Sequence, residues 1–292
     1  MTQNIQHTER HAQRDNGTGN TGAGTTVLVT AATGKTGRRV AERLSAAGHT
    51  VRAGSRTGET VFDWTDPATW APALKDADLA YVNYFPDLAA PGASEALRAF
   101  GRAAADAGVR RLVLLSGRGE PEAVASEEAL RQAGVPLTVV RAAFFAQNFS
   151  EGPMAEGLDR GEIVFPAGET AEPFIDADDL ADVLVTALTE DGHTGRTYEV
   201  TGPRLLTFAE VAAEISRASG REIAYVAVPG EAYAAALRQA GYPDEDAAWV
   251  AELFVTLLDG HNASTTDGVR EVLGREPRDF TEFADREWGG GN

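Results

Sequence analysis

The segment Val27–Gly37, with the sequence VLVTAATGKTG, constrains the fold more than any other part of the chain. Its apolar start is typical of a buried strand, and Val40, Ala41 and Leu44 then recur at helical spacing within residues 36–47. A strand that runs through small residues directly into a helix presents the unpaired N–H groups of the helix start to an anion. The segment therefore predicts a dinucleotide-binding βα turn, although such turns also occur in α/β proteins that bind no nucleotide.

Three small residues of the turn carry separate predictions. Gly34 would let a pyrophosphate approach the bare backbone, and Gly37 would let the new helix pack tightly on the sheet. Ala31 stands where related turns usually have a first glycine. Because alanine strongly disfavours a positive φ, we expect a negative φ at Ala31.

The overall composition excludes several classes of protein. The 292 residues are 43% hydrophobic, enough for one large α/β domain with a smaller lobe. No apolar run approaches the length of about 18 residues that a membrane span needs, and the polar N-terminus has no apolar signal segment, so we expect a cytoplasmic protein. The absence of cysteine and the scattered positions of the five histidines predict no thiol chemistry and no metal site.

The net charge of −18 limits the partners of the chain. So negative a protein is repelled by nucleic acid and by anionic membrane surfaces, and we expect it to bind neither of them. The expected partner is a small-molecule substrate, with the chain acting as a monomer or homodimer.

Positive charge is nevertheless concentrated near the turn. Six cations and a single carboxylate lie between Lys35 and Arg56. Arg56 follows the second predicted strand, about twenty residues after Gly34, where NAD-preferring folds place an acidic residue. The sequence there is AGSR, without a carboxylate. Ser55 and Arg56, with or without Lys35, could bind a 2′-phosphate, so the sequence favours NADP(H) over NAD(H).

Strand and helix signals alternate after the first 24 residues, which predicts an α/β fold with a doubly wound, mostly parallel sheet of the Rossmann type. Residues 1–24 have the composition of a disordered tail. Residues 25–203 are predicted to form the NAD(P)-binding domain, and residues 204–288 a smaller, mainly helical lobe on the substrate side. The predicted strands and helices of the first domain include Thr26–Thr30, Thr36–Ala47, Thr50–Ala53, Val61–Asp63, Leu79–Asn83, Glu95–Ala107, Arg111–Ser116, Ser126–Ala133 and Leu137–Arg141.

Two polar patterns are predicted to mark helix starts. Thr207 and Glu210 have the spacing of a capping box, and Gly220 is a typical helix stop. The acidic run of Asp176, Asp178 and Asp179 could form a pair of catalytic carboxylates, but a cap in a favourable helix dipole is the simpler interpretation.

With these residues placed, the chain resembles the atypical short-chain dehydrogenase/reductases, and among them the NmrA-like NAD(P)-binding family. The resemblance extends over residues 26–288 and rests on the segments VLVTAATGKTGRRV, GVRRLVLLS, LRQAGVPLTVVRAAFFAQNF and PFIDADDLADV. The segments VFDWTDPATWAPAL and GREPRDFTEFA resemble the group of the ergot-alkaloid reductases, festuclavine and agroclavine dehydrogenase. Characterised members of that group reduce a C=N or iminium bond with NADPH.

The resemblance implies a set of cofactor-binding positions along the carboxyl edge of the sheet. It implies pyrophosphate contacts at the turn, 2′-phosphate contacts after the second strand, an adenine site after the third, and a nicotinamide site at the ends of the fourth and fifth. In that order the implied residues are Ala31, Thr33, Gly34, Lys35 and Thr36, then Ser55 and Arg56, then Asp63 and Trp64, then Asn83 and Ser116. For Trp64, plain core packing is an equal alternative.

Aromatic residues are expected around the acceptor. Tyr84 and Phe85 replace the small apolar run common after the fourth strand, and could shape the pocket or simply pack. The resemblance also implies that Phe144, Phe145 and Asn148 border this substrate pocket.

The Tyr-x-x-x-Lys motif, with which most short-chain reductases protonate a carbonyl oxygen, is missing. We place Gly119 and Ala123 at its two positions. Reduction of a ketone creates alkoxide charge that needs a proton donor, whereas an iminium or quinoid acceptor already carries its activation. Ser116 and Tyr84 are the candidate catalytic residues, and Glu120 is a further candidate donor. Each also has a structural alternative, respectively a strand-end serine, a packing tyrosine and a solvated loop carboxylate.

The sequence thus predicts an NADPH-dependent reductase of a small preactivated acceptor, an imine, iminium or quinoid group, in specialised metabolism. Two alternatives remain open. One is a regulatory protein that senses NADP(H) without turnover, and the other is an enzyme that uses bound nucleotide as a scaffold for non-redox chemistry.

Overall fold

The computed structural model describes residues 24–290, so residues 1–23 of the predicted tail lie outside the described residues. The strands are β1 (Thr26–Val29), β2 (Thr50–Ser55), β3 (Thr60–Val61), β4 (Leu79–Val82), β5 (Arg111–Gly117), β6 (Leu137–Ala142), β7 (Glu162–Phe165), β8 (Ala171–Glu172), β9 (Thr197–Val200), β10 (Leu206–Thr207) and β11 (Ala224–Ala227). The α-helices are α1 (Lys35–Ala46), α2 (Trp70–Leu74), α3 (Ala93–Asp106), α4 (Pro121–Arg131), α5 (Pro153–Asp159), α6 (Ala177–Thr189), α7 (Phe208–Ser219), α8 (Gly230–Gln239), α9 (Asp244–Leu257), α10 (Gly268–Leu273) and α11 (Phe280–Trp288).

Seven strands form the main sheet in the order β3-β2-β1-β4-β5-β6-β9, and each neighbouring pair is parallel. The chain proceeds from β1 to β2 and β3 on one side and then crosses to β4 on the other. A crevice therefore opens at the carboxyl ends of β1 and β4, the usual ligand site of such sheets. The predicted doubly wound parallel fold is confirmed.

Helices bury both faces of this sheet. Val40 and Leu184 belong to the core beneath α1 and α6, whereas Phe100 and Leu130 belong to the core beneath α3 and α4. All four side chains are fully buried. The sheet is thus covered on both sides, which explains why its central strands are almost uninterrupted apolar runs.

A third core is largely aromatic and lies beneath the C-terminal helices. It combines Phe149 and Phe165, which precede the predicted domain boundary at residue 204, with Phe208 and Phe283, which follow it. The rings of Phe165 and Phe208 stack with centroids 5.2 Å apart. Two small sheets, β7 with β11 and β8 with β10, also join the two parts of the chain. The boundary at residue 204 remains a prediction.

The acidic run before α6 has the structural role predicted for it. Asp176 is the N-cap of α6, and its side chain accepts a hydrogen bond from the Asp178 N–H at 2.8 Å. Asp179 is fully buried and pairs with Arg275, at 2.7 Å, and with Arg278. These ion pairs hold α6 to the segment that follows α10.

Several element boundaries differ from the predictions by a few residues, and two of these differences have a clear local cause. The third strand ends at Val61 rather than at Asp63, because Asp63 Oδ1 accepts the Thr65 N–H at 2.9 Å and closes a turn. The fourth helix begins at Pro121, earlier than the predicted Ser126, with proline in the first turn, where a missing N–H costs nothing.

Candidate functional site

The turn after β1 has a backbone conformation that we predicted incorrectly at one residue. Ala31 has a φ of +49°, not the negative value expected for alanine. Its carbonyl oxygen accepts the Gly34 N–H at 2.9 Å, while the next residue, Ala32, donates to Gly54 O at 3.0 Å. These two bonds hold the turn in the left-handed region, at a cost of about 1–2 kcal/mol for a residue with a Cβ.

Gly37 is required by the same turn. A Cβ added to Gly37 would lie 2.1 Å from the Ala31 carbonyl oxygen, so α1 can approach the turn this closely only with glycine. Gly34 is less constrained, since a Cβ there would meet a single atom, Ala31 O, at a tight 3.2 Å. The bare backbone at Gly34 suits close approach of a ligand.

The start of α1 has the properties of a phosphate site. Gly34 is its N-cap and provides no side-chain hydrogen bond, and the first turn contains no acidic residue. The first N–H groups of the helix therefore remain available to an anion. Lys35 and Thr36 of this turn line the adjoining cavity. The fold, the bare glycine and the uncapped helix fit a dinucleotide pyrophosphate.

Ser55 and Arg56 lie at the end of β2, next to this turn. Arg56 is exposed and makes no hydrogen bond or ion pair with any residue between 24 and 290. Its charge helps to lower the pKa of Asp63, although hydrogen bonds from Thr65 lower it more. A free guanidinium at this place is suited to a 2′-phosphate.

Trp64 lies in the core rather than open to the crevice. Only 9% of it is exposed, and its ring packs edge-on against Phe62 with centroids 4.9 Å apart. Its Nε1–H donates to Asn83 O at 2.9 Å, which fixes the end of β4. This placement favours the core-packing alternative for the Trp64 ring.

A cavity of about 500 Å³ lies at the carboxyl ends of β4, β5 and β6. It brings together Lys35, Thr36, Asn83, Tyr84, Phe85, Ser116, Phe144, Phe145 and Asn148, all of which were predicted at the site. Residues of α9 and the loop after it, Phe254, Leu257, Leu258 and Asn262, form the opposite wall. Ala31, Thr33, Gly34, Ser55, Arg56, Asp63 and Trp64 are not among its lining residues.

The polar groups near the cavity floor are held by hydrogen bonds. Thr36 Oγ1 lies 2.9 Å from Tyr81 Oη and accepts from Asn83 Nδ2 at 3.3 Å. Ser116 donates its hydroxyl proton to Glu127 Oε1 at 2.6 Å, and Arg141 pairs with Oε2 of the same carboxylate at 2.7 Å. Because the Ser116 hydroxyl donates its hydrogen bond to Glu127, its oxygen can accept a hydrogen bond from a ligand but cannot donate one.

Lys35 spans the cavity to Asn148, which follows β6. Its Nζ donates to Asn148 Oδ1 at 2.5 Å. Burial lowers the pKa of Lys35 to about 8, against the opposing effect of the Glu151 charge. Since β6 stands four positions from β2 in the sheet, Lys35 points away from Arg56.

The aromatic side chains divide into wall and rim. Phe144 is partly buried and packs against Phe165 and Phe254, with centroids 5.9 and 6.1 Å away. Tyr84 is half-buried against Trp64, and burial raises the pKa of its hydroxyl. Phe85 is 66% exposed at the cavity rim.

The two positions assigned to the missing Tyr/Lys pair cannot hold such side chains in this structure. Gly119 has a φ of +78°, and a Cβ there would lie 2.4 Å from both His261 Nε2 and Asn262 Oδ1. Ala123 is fully buried in the core beneath α4. The loop after α9 thus occupies the space that the tyrosine would need.

Several cavity residues were not found by sequence reasoning. Arg118 is 9% exposed and donates to Asn262 O at 2.8 Å and Ser264 O at 2.9 Å, which fastens that loop over the cavity. Glu172, in β8, is 3% exposed, and burial raises its pKa to about 7. No local pattern marks either residue, because their partners lie far away in the sequence.

Two family matches cover the elements just described. The sequence model of the NmrA-like family matches residues 123–284, and that of an NAD(P)H-binding family matches residues 31–191. The chain belongs to the NmrA-like family. The predicted family and its NAD(P)H-binding character are confirmed.

Two relatives illustrate the chemistry found in this family. An NAD(P)H azoreductase of Xenophilus azovorans is 34% identical over 76% of this chain and 79% of its own length. The agroclavine dehydrogenase of Claviceps fusiformis is 31% identical over 88% of this chain and 96% of its own. These relatives confirm the predicted oxidoreductase class and the similarity to the clavine dehydrogenases.

The fold is shared with a solved reductase. The triphenylmethane reductase of Citrobacter sp., crystallised with NADP(H), has a TM-score of 0.74 and 22% identity, covering 90% of this chain and 99% of that one. None of the helices between residues 24 and 290 has the length and apolarity needed to cross a membrane.

Proposed function

We propose that this chain is an NADPH-dependent reductase that transfers hydride to a small preactivated acceptor, an imine, iminium or quinoid group, in specialised metabolism. The observation that carries the proposal is the cavity at the ends of β4, β5 and β6. It joins Lys35 and Thr36 at the start of α1 to an aromatic wall, so the nicotinamide end of a dinucleotide and an apolar acceptor would share this volume.

The residues present fit NADP(H) in a consistent order along the sheet edge. Ala31, Thr33, Gly34 and Thr36 would hold the pyrophosphate, and Ser55 with Arg56 the 2′-phosphate. Asp63 would lie near adenine, while Asn83 and Ser116 would face the nicotinamide side. The bound reduced nicotinamide supplies the hydride. Lys35 stands between the phosphate turn and the acceptor pocket.

The acceptor class follows from what the cavity provides. The Tyr/Lys positions hold Gly119 and Ala123, and the Ser116 proton is engaged by Glu127 at 2.6 Å. An acceptor that needs strong stabilisation of an alkoxide is therefore disfavoured. The named activities of the azoreductase and clavine dehydrogenase relatives support dye-like and C=N acceptors.

Ser116 and Tyr84, the two candidate catalytic residues, have positioning roles in this proposal. Ser116 Oγ would accept a hydrogen bond from a ligand N–H, since its own proton points to Glu127. The Tyr84 ring, packed on Trp64 with centroids 4.9 Å apart, would form one face of the acceptor pocket together with Phe144. Such walls orient an acceptor and exclude water from the hydride path.

A panel of acceptors tests the proposal. Purified protein is mixed with NADPH and, in turn, cyclic imines, N-alkyl iminium salts, quinones and azo dyes, and oxidation of NADPH is followed. We expect turnover with at least one class. Saturable NADPH binding without turnover of any class would contradict the proposal and favour the NADP(H)-sensing alternative. We further propose that the chain acts in the cytoplasm as a monomer or homodimer.

A further inference from the structure

One buried carboxyl group of the cavity has no part in the scheme so far. Glu120 is the N-cap residue of α4, yet its side chain makes no capping hydrogen bond. A glutamate at a helix start would ordinarily serve the N–H groups there or the helix dipole. Instead the carboxyl turns back over Gly117, where an added Cβ would lie 2.0 Å from Glu120 Oε1.

The surroundings of this carboxyl favour a proton on it. Glu120 is 8% exposed and lines the cavity, and its Oε2 is buried without a hydrogen-bond partner. The ionisable groups acting on it are Asp87 from the loop after β4, through its charge and a hydrogen bond, and Glu122 and Glu127 from α4, all acidic. No arginine or lysine of residues 24–290 forms an ion pair with it. Burial first, and Asp87 second, raise the pKa of Glu120 to about 8.

We propose that Glu120 donates the proton required when this cavity reduces a neutral acceptor, so that neutral imines are substrates as well as iminium cations. The inference rests on the proposed function, and it names the proton donor that the proposed function did not assign. The evidence is the position of the carboxyl in the cavity wall, its turned conformation and its unpartnered oxygen.

The step balances as follows for a cyclic imine. Hydride adds to the imine carbon, and the C=N π pair moves to nitrogen. The new N–H bond forms with the proton of the Glu120 carboxyl as its O–H bond breaks. The products are a secondary amine and the Glu120 carboxylate, which regains a proton from solvent. An N-methyl iminium ion needs no proton, because hydride addition alone gives the neutral tertiary amine.

Other cavity groups are less suited to this proton transfer. The Ser116 proton is engaged by Glu127 at 2.6 Å, and Lys35 Nζ is bound to Asn148 at 2.5 Å. Glu172 is the closest rival, because its Oε1 is also buried without a partner. It differs in facing the positive charge of Arg118, which favours the ionised form.

A matched pair of acceptors tests the assignment. The rate constant kcat is measured with a cyclic imine and with its N-methyl iminium salt, for the wild-type chain and Glu120→Gln. We expect Glu120→Gln to lower kcat for the imine by about 10²-fold or more, the usual contribution of a general acid. We expect kcat for the iminium to change less than about twofold, because that reaction takes no proton.

The pH dependence gives a second readout. In the wild-type chain kcat for the imine should fall above about pH 8 as Glu120 loses its proton, and Asp87→Asn should move this fall to lower pH. Glu128→Gln, which removes an exposed carboxylate elsewhere on α4, serves as the matched control and should keep imine turnover. Glu120→Asp should restore part of the imine activity lost in Glu120→Gln.

A spectroscopic titration without cofactor keeps the assignment independent of turnover. Infrared difference spectra between pH 7.5 and 9.5 should show loss of a protonated carboxyl band in the wild-type chain that is missing in Glu120→Gln, because Glu172, with a pKa of about 7, is already mostly ionised at the start of this range. The assignment would be overturned if Glu120→Gln lowered kcat equally for the imine and the iminium, or if Glu172→Gln, and not Glu120→Gln, lowered kcat for the imine alone. It would also be overturned if the alkaline fall in kcat persisted in Glu120→Gln, since that fall would then belong to Lys35. If the proposed function itself were wrong, the result would be different: the wild-type chain would turn over neither acceptor.

Discussion

Replacement of Gly37 by alanine tests the geometry of the phosphate turn. The added Cβ would lie 2.1 Å from the Ala31 carbonyl oxygen, 2.8 Å from its carbonyl carbon and 3.0 Å from Ala32 Cα. All three are backbone atoms, and Ala31 O is held by the Gly34 N–H at 2.9 Å. No side chain can rotate away to make room, so α1 or the turn must shift.

The expected loss of stability can be worked from these contacts. Overpacking costs about 1–3 kcal/mol, and rigid backbone neighbours place Gly37→Ala at the upper end. Alanine in a helix returns about 1 kcal/mol relative to glycine. The net loss is about 2 kcal/mol, which lowers Tm by about 4–8 °C in a protein of roughly this size.

Gly34→Ala is the matched control. Gly34 has a φ of −77°, which alanine adopts freely, and an added Cβ would be 3.2 Å from Ala31 O. We expect it to lower the free energy of unfolding by no more than about 1 kcal/mol, because alanine is a poorer N-cap than glycine and the 3.2 Å contact is tight. Because this Cβ would stand in the proposed pyrophosphate space, NADPH affinity should fall at least about tenfold, or about 1.4 kcal/mol.

Differential scanning calorimetry of the protein without nucleotide and calorimetric titration with NADPH measure the two effects separately. The reasoning is refuted if Gly37→Ala is as stable as the wild-type chain. It is also refuted if Gly34→Ala loses as much stability as Gly37→Ala, since the two contacts would then not differ as the structure shows.

Three further predictions concern the cofactor, a buried ion pair and pH. Arg56→Ala should lower the affinity for NADPH by about tenfold or more, which is the value of a charge-assisted hydrogen bond, and should leave the affinity for NADH unchanged. Equal losses of affinity for the two cofactors in calorimetric titration would contradict the 2′-phosphate assignment. Asp179→Asn removes the buried carboxylate that Arg275 and Arg278 share, although both still pair with Asp182, at 2.8 and 3.8 Å. The variant should lose about 2 kcal/mol in urea unfolding, less than the loss of a fully buried pair because both arginines retain water and this second carboxylate; a loss below about 0.5 kcal/mol would contradict this. The pKa of Glu172 rises on folding from 4.5 to about 7, so its contribution to stability is complete below pH 4.5 and lost as pH rises toward 7. Glu172→Gln should therefore gain stability relative to the wild-type chain between pH 5 and 8, and the opposite trend in urea midpoints would contradict the burial effect.

Local patterns were sufficient where the determining interactions are local. The strand, turn and helix of VLVTAATGKTG were predicted correctly because each is encoded within a few residues. Asp176 likewise caps α6, as its position directly before the helix indicated. The error at Ala31 has a long-range cause. Its φ is set by hydrogen bonds that include Gly54 O, the acceptor for Ala32, and this partner is distant in sequence.

The acceptor side of the site was less predictable for the same reason. Lys35 was assigned to phosphate from its place in the turn, yet its contact with Asn148 lies 113 residues away. Glu120 was only a further candidate donor beside Ser116 and Tyr84, and a solvated loop carboxylate was its structural alternative. Its burial depends on the folding of Asp87 and α4 around it, which no spacing in the sequence records.

The most direct measurement of the central claim is deuterium transfer from NADPH labelled at C4 on either face of the nicotinamide, with the acceptor that the panel identifies. The account predicts that deuterium from one of the two labelled cofactors appears at the reduced carbon of the product. A reduced or rearranged product without deuterium from either cofactor would contradict hydride transfer in this cavity and favour a scaffold role for the nucleotide.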